Sequence, residues 1–328
     1  MTAIVRYNRK ETFVTSVASQ SRQDRLRGVL APVLTPFTAN LDPDWPAYLR
    51  HCRWLLENGA GLAIFGTNSE AASLSVDERV ELTDRLLDAG IPASRLMPGT
   101  GSCALTDTVR LTRHAVEKGA GGVLVLPPFY FKGVSEDGLF AYYAEVIERV
   151  GDSRLAVYLY HIPQLTQVPI SLSLIERLLK RYPQAIAGAK DSSGDWGNSR
   201  AMIDQFSSSG FDVFPASESL LSKALPLGGA GCISATVNVN PHGIQALYAA
   251  LTAGDERQAS VFQADADKVR QIYQSSAMIP AMKYTLAEAH GHSSWAIVRP
   301  PLVPMQREDG AALLARLDLA SFSLNRLQ

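Results

Sequence analysis

Residues 155–191 read LAVYLYHIPQLTQVPISLSLIERLLKRYPQAIAGAKD: two short apolar runs, Leu155–Tyr160 and Ala185–Ala189, separated by an amphipathic stretch. Runs this short and this uniformly apolar fit strands covered on both faces, the condition of a parallel sheet wrapped in helices. The same alternation continues outward in both directions, at intervals of roughly 25 to 35 residues. Further candidate strands are Val29–Val33, Leu62–Phe65, Leu96–Gly99, Gly122–Leu126, Phe211–Phe214 and Gly231–Ser234. Eight strands, each followed by a helix, predict an α/β fold of the closed (β/α)8 TIM-barrel type.

The helices between them have readable ends. Ser75-Val-Asp-Glu78 is a capping box ahead of Arg79–Leu87, Thr106 and Ser135 are candidate N-caps, and Gly90, Gly119 and Gly151 stand at helix ends. An open, doubly wound sheet is the alternative, but it announces itself by a Gly-rich phosphate loop after its first strand. Here that position reads Leu34-Thr-Pro-Phe-Thr-Ala-Asn40. Beyond Pro241 the strands stop, and helices are expected at His242–Thr252, Arg257–Gln274, Met278–Ala289 and Gly310–Ser321. Val298-Arg-Pro-Pro-Leu-Val-Pro304 forces an extended connection before the last of them. The expected organisation is an N-terminal extension (1–27), a barrel (28–240) and a C-terminal helical appendage (241–328).

Composition narrows the partners. Of 328 residues, 46% are hydrophobic and 19% charged, which supplies a core and argues against disorder. Lys plus Arg is 31 against 32 for Asp plus Glu, without the basic excess that nucleic-acid binding requires. No apolar run approaches the ~18 residues of a membrane span, so no membrane partner is expected. The N-terminal stretch has scattered Arg and Lys and no apolar core of a secretory signal. Cys52, Cys103 and Cys232 lie far apart, which fits a reducing compartment and a cytoplasmic location.

In such a barrel chemistry collects where strands end, so polar residues directly after apolar runs are the ones to inspect. Lys190 leaves the small-residue run Ala185-Ile-Ala-Gly-Ala. Burial lowers an ammonium pKa, and a neutral amine attacks a ketone to form a Schiff base; a salt-bridged lysine at the barrel rim is the other reading. Tyr158 and Tyr160 share a face, with Tyr160 at the position that reaches the mouth. Its phenol either shuttles protons or fills the interior. Gly66-Thr-Asn-Ser-Glu70 offers N–H groups and side-chain donors for a carboxylate. Pro128-Phe-Tyr130-Phe-Lys132 is an aromatic cluster that closes a pocket or forms a dimer contact. His290 and His292 lie in a Gly/Ser-rich turn and the other histidines are scattered, so no metal ligand set is expected.

Gly66-Thr-Asn-Ser-Glu70, Pro128-Phe-Tyr130, Tyr160-His-Ile-Pro163 and Gly188-Ala-Lys190-Asp, in this order and spacing, resemble the dihydrodipicolinate synthase / N-acetylneuraminate lyase superfamily of pyruvate-dependent class I aldolases. Val33-Leu-Thr-Pro-Phe37, Leu227-Gly-Gly229 with Ile233, and Arg299-Pro-Pro-Leu302 extend the match. The resemblance implies that Lys190 is the Schiff-base lysine and Tyr160 the proton relay. It implies that Thr67 links Tyr160 to Tyr130, which reaches into a neighbouring subunit's site across a tight dimer. Gly66, Thr67 and Asn68 would hold the pyruvate carboxylate. It further implies no cofactor beyond the covalent Schiff base, a small 2-keto acid as substrate and a homo-oligomer, a dimer of dimers.

Departures from the family pattern bear on substrate. Leu165 stands where dihydrodipicolinate synthases keep an arginine for the semialdehyde carboxylate. Asn68 resembles 4-hydroxy-2-oxoglutarate aldolases, although Ser69 replaces their glycine. Ala216-Ser-Glu218 replaces the Gly-Asp-Asp of synthases, and Glu218 falls where sialic acid lyases keep a hydroxyl-binding acid. Asn68, Ser69, Leu165, Ala216, Glu218 and Ile233 are therefore expected around the substrate. The expected activity is cleavage of a hydroxylated 2-keto acid (4-hydroxy-2-oxoglutarate or keto-deoxy sugar acid type) to pyruvate and an aldehyde. The alternatives are a dihydrodipicolinate synthase, a keto-deoxy sugar acid dehydratase and a non-catalytic ligand-binding paralogue.

Overall fold

A computed structural model of the chain describes residues 25–323. Of the expected extension only Arg25, Leu26 and Arg27 fall within it. Seven short parallel strands follow: β1 (Gly28–Ala31), β2 (Gly61–Leu62), β3 (Val123–Val125), β4 (Val157–His161), β5 (Ile186–Asp191), β6 (Asp212–Pro215) and β7 (Gly231–Ile233). They form one run in the order β2-β1-β7 and another in the order β3-β4-β5-β6.

Two connections close the ring. The expected strand at residues 96–99 bridges the gap between β2 and β3, pairing Leu96 with Leu62 and Gly99 with Leu124. Met97 N–H donates to Leu62 O at 2.8 Å, and Leu124 N–H donates to Pro98 O at 2.8 Å. Pro98 has no N–H to give, so pairing breaks into isolated bridges there. On the far side Ala230 N–H donates to Val213 O at 2.9 Å and Gly28 N–H to Ala230 O at 2.8 Å, joining β6 to β7 and β1. The eight expected runs thus all lie in one closed barrel.

Helices cover the outside: α1 (Trp45–Glu57), α2 (Val76–Asp88), α3 (Leu105–Glu117), α4 (Glu136–Val150), α5 (Pro163–Thr166), α6 (Leu172–Arg181), α7 (Trp196–Phe206) and α8 (Leu221–Ala224). The Ser75/Glu78 capping box is formed, with Ser75 N–H donating to Glu78 Oε2 at 2.8 Å and Glu78 N–H to Ser75 Oγ at 3.1 Å. Ser135 caps α4 and Gly151 ends it in the left-handed conformation. Thr106 is not a cap. Helix α3 starts at Leu105 with Ala104 before it and no side-chain cap. Thr108 holds that entry instead, its hydroxyl accepting from Ser102 N–H at 2.9 Å.

Helix α9 (Pro241–Ala253) places Ile244 and Leu247 in the same buried cluster as Val29 and Ala31 of β1. Helices α10 (Glu256–Gln274), α11 (Met278–His290) and α12 (Arg307–Leu319) form a separate core around Tyr273, Met282 and Trp295. That core also takes in Leu34 and Ala235, so the helices seat on the ends of β1 and β7.

Inside the barrel one cluster unites Leu30, Ala63, Met97, Leu124, Tyr158, Phe214 and Ile233 with Ala156, Ala187 and Ala230. Leu26 joins it from just before β1 and plugs the N-terminal end. The Tyr158 ring is the largest filler, and the strands beside it carry glycine to make room. A Cβ on Gly188 would sit 2.1 Å from Asp212 O and 2.9 Å from the Tyr158 ring. Because both neighbours are held by the sheet, Gly188→Ala is expected to destabilise the fold by about 2 kcal/mol or more, read from urea denaturation midpoints.

Candidate active site

Register puts the two central residues side by side. In the β4–β5 ladder Tyr160 pairs with Lys190, and adjacent strands lie about 4.8 Å apart. On β4, Val157 and Leu159 point to the helix layer while Tyr158 faces the interior, so Tyr160, two residues further, also faces inward. On β5, strict alternation from outward Ile186 would turn Lys190 outward as well. The ladder instead slips by one residue, pairing Val157 with Ile186 but Tyr158 with Gly188. This bulge shifts the parity: Ala189 packs outward against the helices, and Lys190 turns in.

Lys190 is 2% exposed and Tyr160 likewise. Lys190 Nζ donates to the Tyr160 hydroxyl at 3.1 Å and lies 4.2 Å from the ring centre. The same hydroxyl is 3.0 Å from Thr67 Oγ1. No carboxylate pairs with Lys190 among the described residues. Its neighbour Asp191 is held elsewhere, accepting from Ser199 Oγ at 2.6 Å and Asn198 Nδ2 at 3.1 Å. Burial pushes the Tyr160 phenol up, but the Lys190 charge and the Thr67 hydrogen bond outweigh it, and its pKa falls below the usual 10. A phenol of this kind both donates and accepts a proton readily.

Thr67 belongs to a strained loop. Phe65 and Glu70 both have left-handed backbones, φ 59° and 56°, with no glycine to ease them. Gly99 accommodates the first of these, since a Cβ there would lie 2.0 Å from Phe65 O. Within the loop Ser69 N–H donates to Gly66 O at 3.1 Å and Glu70 N–H to Thr67 O at 3.0 Å. The N–H groups of Thr67 and Asn68 have no acceptor among the described residues, and both residues are half-buried. Adjacent free N–H groups in a turn are the arrangement that suits an anion.

Gly66, Thr67 and Tyr160 line a cavity of about 570 Å³, with Phe129, Ile162 and Leu165 on its wall. Leu165 is 62% exposed there and brings no charge. Beside it, Gln164 is engaged, donating to Ser192 O at 2.8 Å and Ser193 O at 2.7 Å. Ala216 follows β6 half-buried, its N–H donating to Asp191 O at 2.8 Å, and Ile233 is wholly buried in the barrel interior.

Two expected substrate contacts are buried and bonded within the protein. Ser69 is fully buried; its hydroxyl accepts from Gly66 N–H at 3.2 Å and its carbonyl accepts from Thr35 Oγ1 at 2.8 Å, so it braces the loop. Glu218 is fully buried as well, accepting from Ser234 and Thr236 hydroxyls and from Arg270 at 2.8 Å. These three donors tie the carboxylate between the end of β7 and α10. Tyr130 stands apart from its own chain's cavity, 75% exposed with its ring edge-on to Phe131.

The sequence reading missed the support beneath the loop. Glu70 and Lys283 form an ion pair at 2.6 Å with both side chains wholly buried. Lys283 also donates to Thr35 O at 2.8 Å, and Arg299 N–H donates to the second Glu70 oxygen at 2.9 Å. Burial brings the Lys283 ammonium down to about 8 against the pull of Glu70. Through this pair, α11 pins the left-handed end of the loop that carries Thr67. The available signal was a lysine within the otherwise apolar Met278-Ile-Pro-Ala-Met-Lys283 stretch.

A closed barrel whose mouth holds a buried lysine, without a carboxylate partner and set against a tyrosine, has the arrangement a Schiff-base lyase needs. The chain belongs to the dihydrodipicolinate synthetase family, whose model matches residues 25–319. The family works through a lysine Schiff base with pyruvate and no metal. Among curated relatives, an uncharacterised DapA-like lyase of Chloroflexus aurantiacus is 37% identical over 295 residues, 88% of this chain and 95% of that one. The 4-hydroxy-tetrahydrodipicolinate synthase of Methanococcoides burtonii is 31% identical over 87% of this chain and 95% of its own. Among solved structures, dihydrodipicolinate synthase from Agrobacterium tumefaciens superposes with a TM-score of 0.82 at 29% identity, covering 90% of this chain and 99% of that one. YagE of Escherichia coli K12, in complex with pyruvate, has a TM-score of 0.82 at 28% identity over the same shares.

Removing the Lys283 ammonium should strand a buried carboxylate. Lys283→Met is expected to cost about 3–5 kcal/mol, and Glu70→Gln combined with Lys283→Met to recover most of it. Thermal and urea unfolding of both variants measure this.

Proposed function

We propose that the chain is a class I aldolase cleaving a short hydroxylated 2-keto acid to pyruvate and an aldehyde, with Lys190 as the covalent group. The observation that carries the reading is the Lys190 amine, buried, without a carboxylate partner and 3.1 Å from the Tyr160 hydroxyl. The amine adds to the C2 carbonyl and water leaves, giving an iminium. The substrate carboxylate takes the free N–H groups of Thr67 and Asn68 and the Thr67 hydroxyl. Tyr160, as phenolate, removes the C4 hydroxyl proton. The C3–C4 bond breaks, its electron pair enters the iminium as an enamine, and the aldehyde departs. Tyr160 returns the proton to C3, and water releases pyruvate and the free amine.

Leu165 supports a substrate with no second carboxylate at that position, since a charged terminus there would meet no cation. Asn68 supplies an uncharged donor for a hydroxyl. The names of the relatives favour a second reading, condensation of pyruvate with aspartate semialdehyde, as 31%-identical synthases do by name. Tyr130 and Phe131 support an oligomer: two large exposed aromatics on one loop are a surface that a second copy would cover, with Tyr130 completing that copy's site. A cytoplasmic location and a dimer of dimers fit this reading.

Five outcomes are expected. Borohydride with pyruvate should add a pyruvate-derived mass to the Lys190 peptide and none to Lys190→Ala; kcat/KM for 2-keto-3-deoxygluconate, a keto-deoxy sugar acid with a single carboxylate, followed by coupled lactate dehydrogenase, should exceed that for semialdehyde condensation, and the reverse order selects the synthase. Tyr160→Phe should lower kcat ~10²–10⁴-fold with pyruvate trapping retained. Because the Tyr160 pKa is lowered, wild-type activity should rise with pH through an ionisation below 10, a limb that Tyr160→Phe loses. Tyr130→Ala should lower activity while mass by light scattering still reports an oligomer, whereas a fully active wild-type monomer would remove the shared-site proposal.

A further inference from the structure

A second cavity, of about 420 Å³, shares no lining residue with the catalytic mouth. Arg50, His51 and Trp54 of α1 form one side; His290 at the end of α11, with His292 and Trp295 after it, forms the other. The buried wall is His51, 3% exposed, with its ring 5.7 Å from Trp54 in a stacked pose and 4.9 Å from Trp295 edge-on.

His51 has a fixed tautomer. Its Nε2 lies 3.1 Å from Asn238 Oδ1. That amide cannot be reversed, because Nδ2 donates to Pro32 O at 3.0 Å and Ala235 O at 2.9 Å while Oδ1 accepts from Leu34 N–H at 2.9 Å. Nε2 therefore carries the proton, and Nδ1 is a bare acceptor. Nδ1 is buried and has no hydrogen-bond partner, a condition that folded chains rarely leave unfilled. Burial pushes the His51 pKa down to about 4, so the ring keeps this state at neutral pH. At the rim His290 is also held below its usual range, by burial and by the Arg50 and His292 charges. Arg50 is exposed and has no ion-pair or hydrogen-bond partner among the described residues. It is the standing positive charge of the cavity.

We propose that this cavity is a second ligand site, for an aromatic carboxylate bearing a hydrogen-bond donor at the far end of its ring. The ring lies against the indoles of Trp54 and Trp295, the donor reaches His51 Nδ1, and the carboxylate meets Arg50 at the rim. An aliphatic acid leaves the indoles and Nδ1 unmatched, and a cation is repelled by Arg50.

The test uses the full chain and two probes, 4-hydroxybenzoate and 4-methoxybenzoate, which differ in the donor alone. Calorimetry should find one saturable site per chain for 4-hydroxybenzoate, with binding about tenfold weaker for the methyl ether. Arg50→Gln, a change at an exposed side chain, should weaken 4-hydroxybenzoate about tenfold as well, with an unchanged circular dichroism spectrum. Binding should persist after pyruvate and borohydride have blocked the catalytic lysine. Absence of saturable binding at millimolar probe, equal affinity for the two probes, or indifference to Arg50→Gln would overturn the proposal. Loss of binding in the blocked enzyme would overturn it too, by assigning the probe to the catalytic mouth. The Arg50 comparison does not depend on any role for Lys190, so its failure is distinct from failure of the aldolase reading.

Discussion

The site depends on one irregularity in a parallel ladder. A strand has two faces, and a residue's face is set by parity counted along the strand. Counted from Ile186, Lys190 has the wrong parity for the interior; the slip that pairs Tyr158 with Gly188 corrects it. Glycine at 188 accommodates the slip, since Asp212 O and the Tyr158 ring occupy the space a Cβ would need. Tyr158 thus serves two ends, filling the barrel centre and fixing the strand that turns Lys190 toward Tyr160.

Around this pair the barrel sets up opposite electrostatic conditions for like groups. Lys190 and Lys283 are both buried, yet Lys283 faces a carboxylate at 2.6 Å and Lys190 faces a phenol. A lysine locked to Glu70 holds a loop in place. The one beside the Tyr160 hydroxyl has no carboxylate partner among the described residues, and its amine stays available to a carbonyl. The acids divide similarly. Glu218 and Glu70 are buried and bonded to Arg270, Lys283 and the Arg299 N–H, so both brace the walls of the mouth, whose cavity takes in Arg79 and Asp107 beside hydroxyls and apolar side chains.

The C-terminal helices take part in this arrangement. Lys283 of α11 and Arg299 after it both bond Glu70, while Arg299 also bonds Glu78 of α2 at 2.5 Å. Residues more than two hundred positions apart in sequence thereby fix the loop carrying Thr67. The same helices, with α1, enclose the second cavity, whose His51 is tied through Asn238 to the end of β1.

The sequence by itself determined the eight runs that line the barrel, most helix ends, and the segments that meet at the mouth. These are local matters, legible because short apolar runs, capping boxes and glycines act within a few residues. It also brought Lys190, Tyr160 and Thr67 forward by their places after strands. Tertiary structure decided which way each side chain looks. Ser69 and Glu218 carry the same groups a substrate site would use, and only packing turns them inward, to Gly66 N–H and to Arg270. Lys283 and Glu70 meet across 213 positions, a pairing no local pattern encodes. Orientation is set by what surrounds a residue in space, because a buried polar group must satisfy its hydrogen bonds wherever the fold supplies partners.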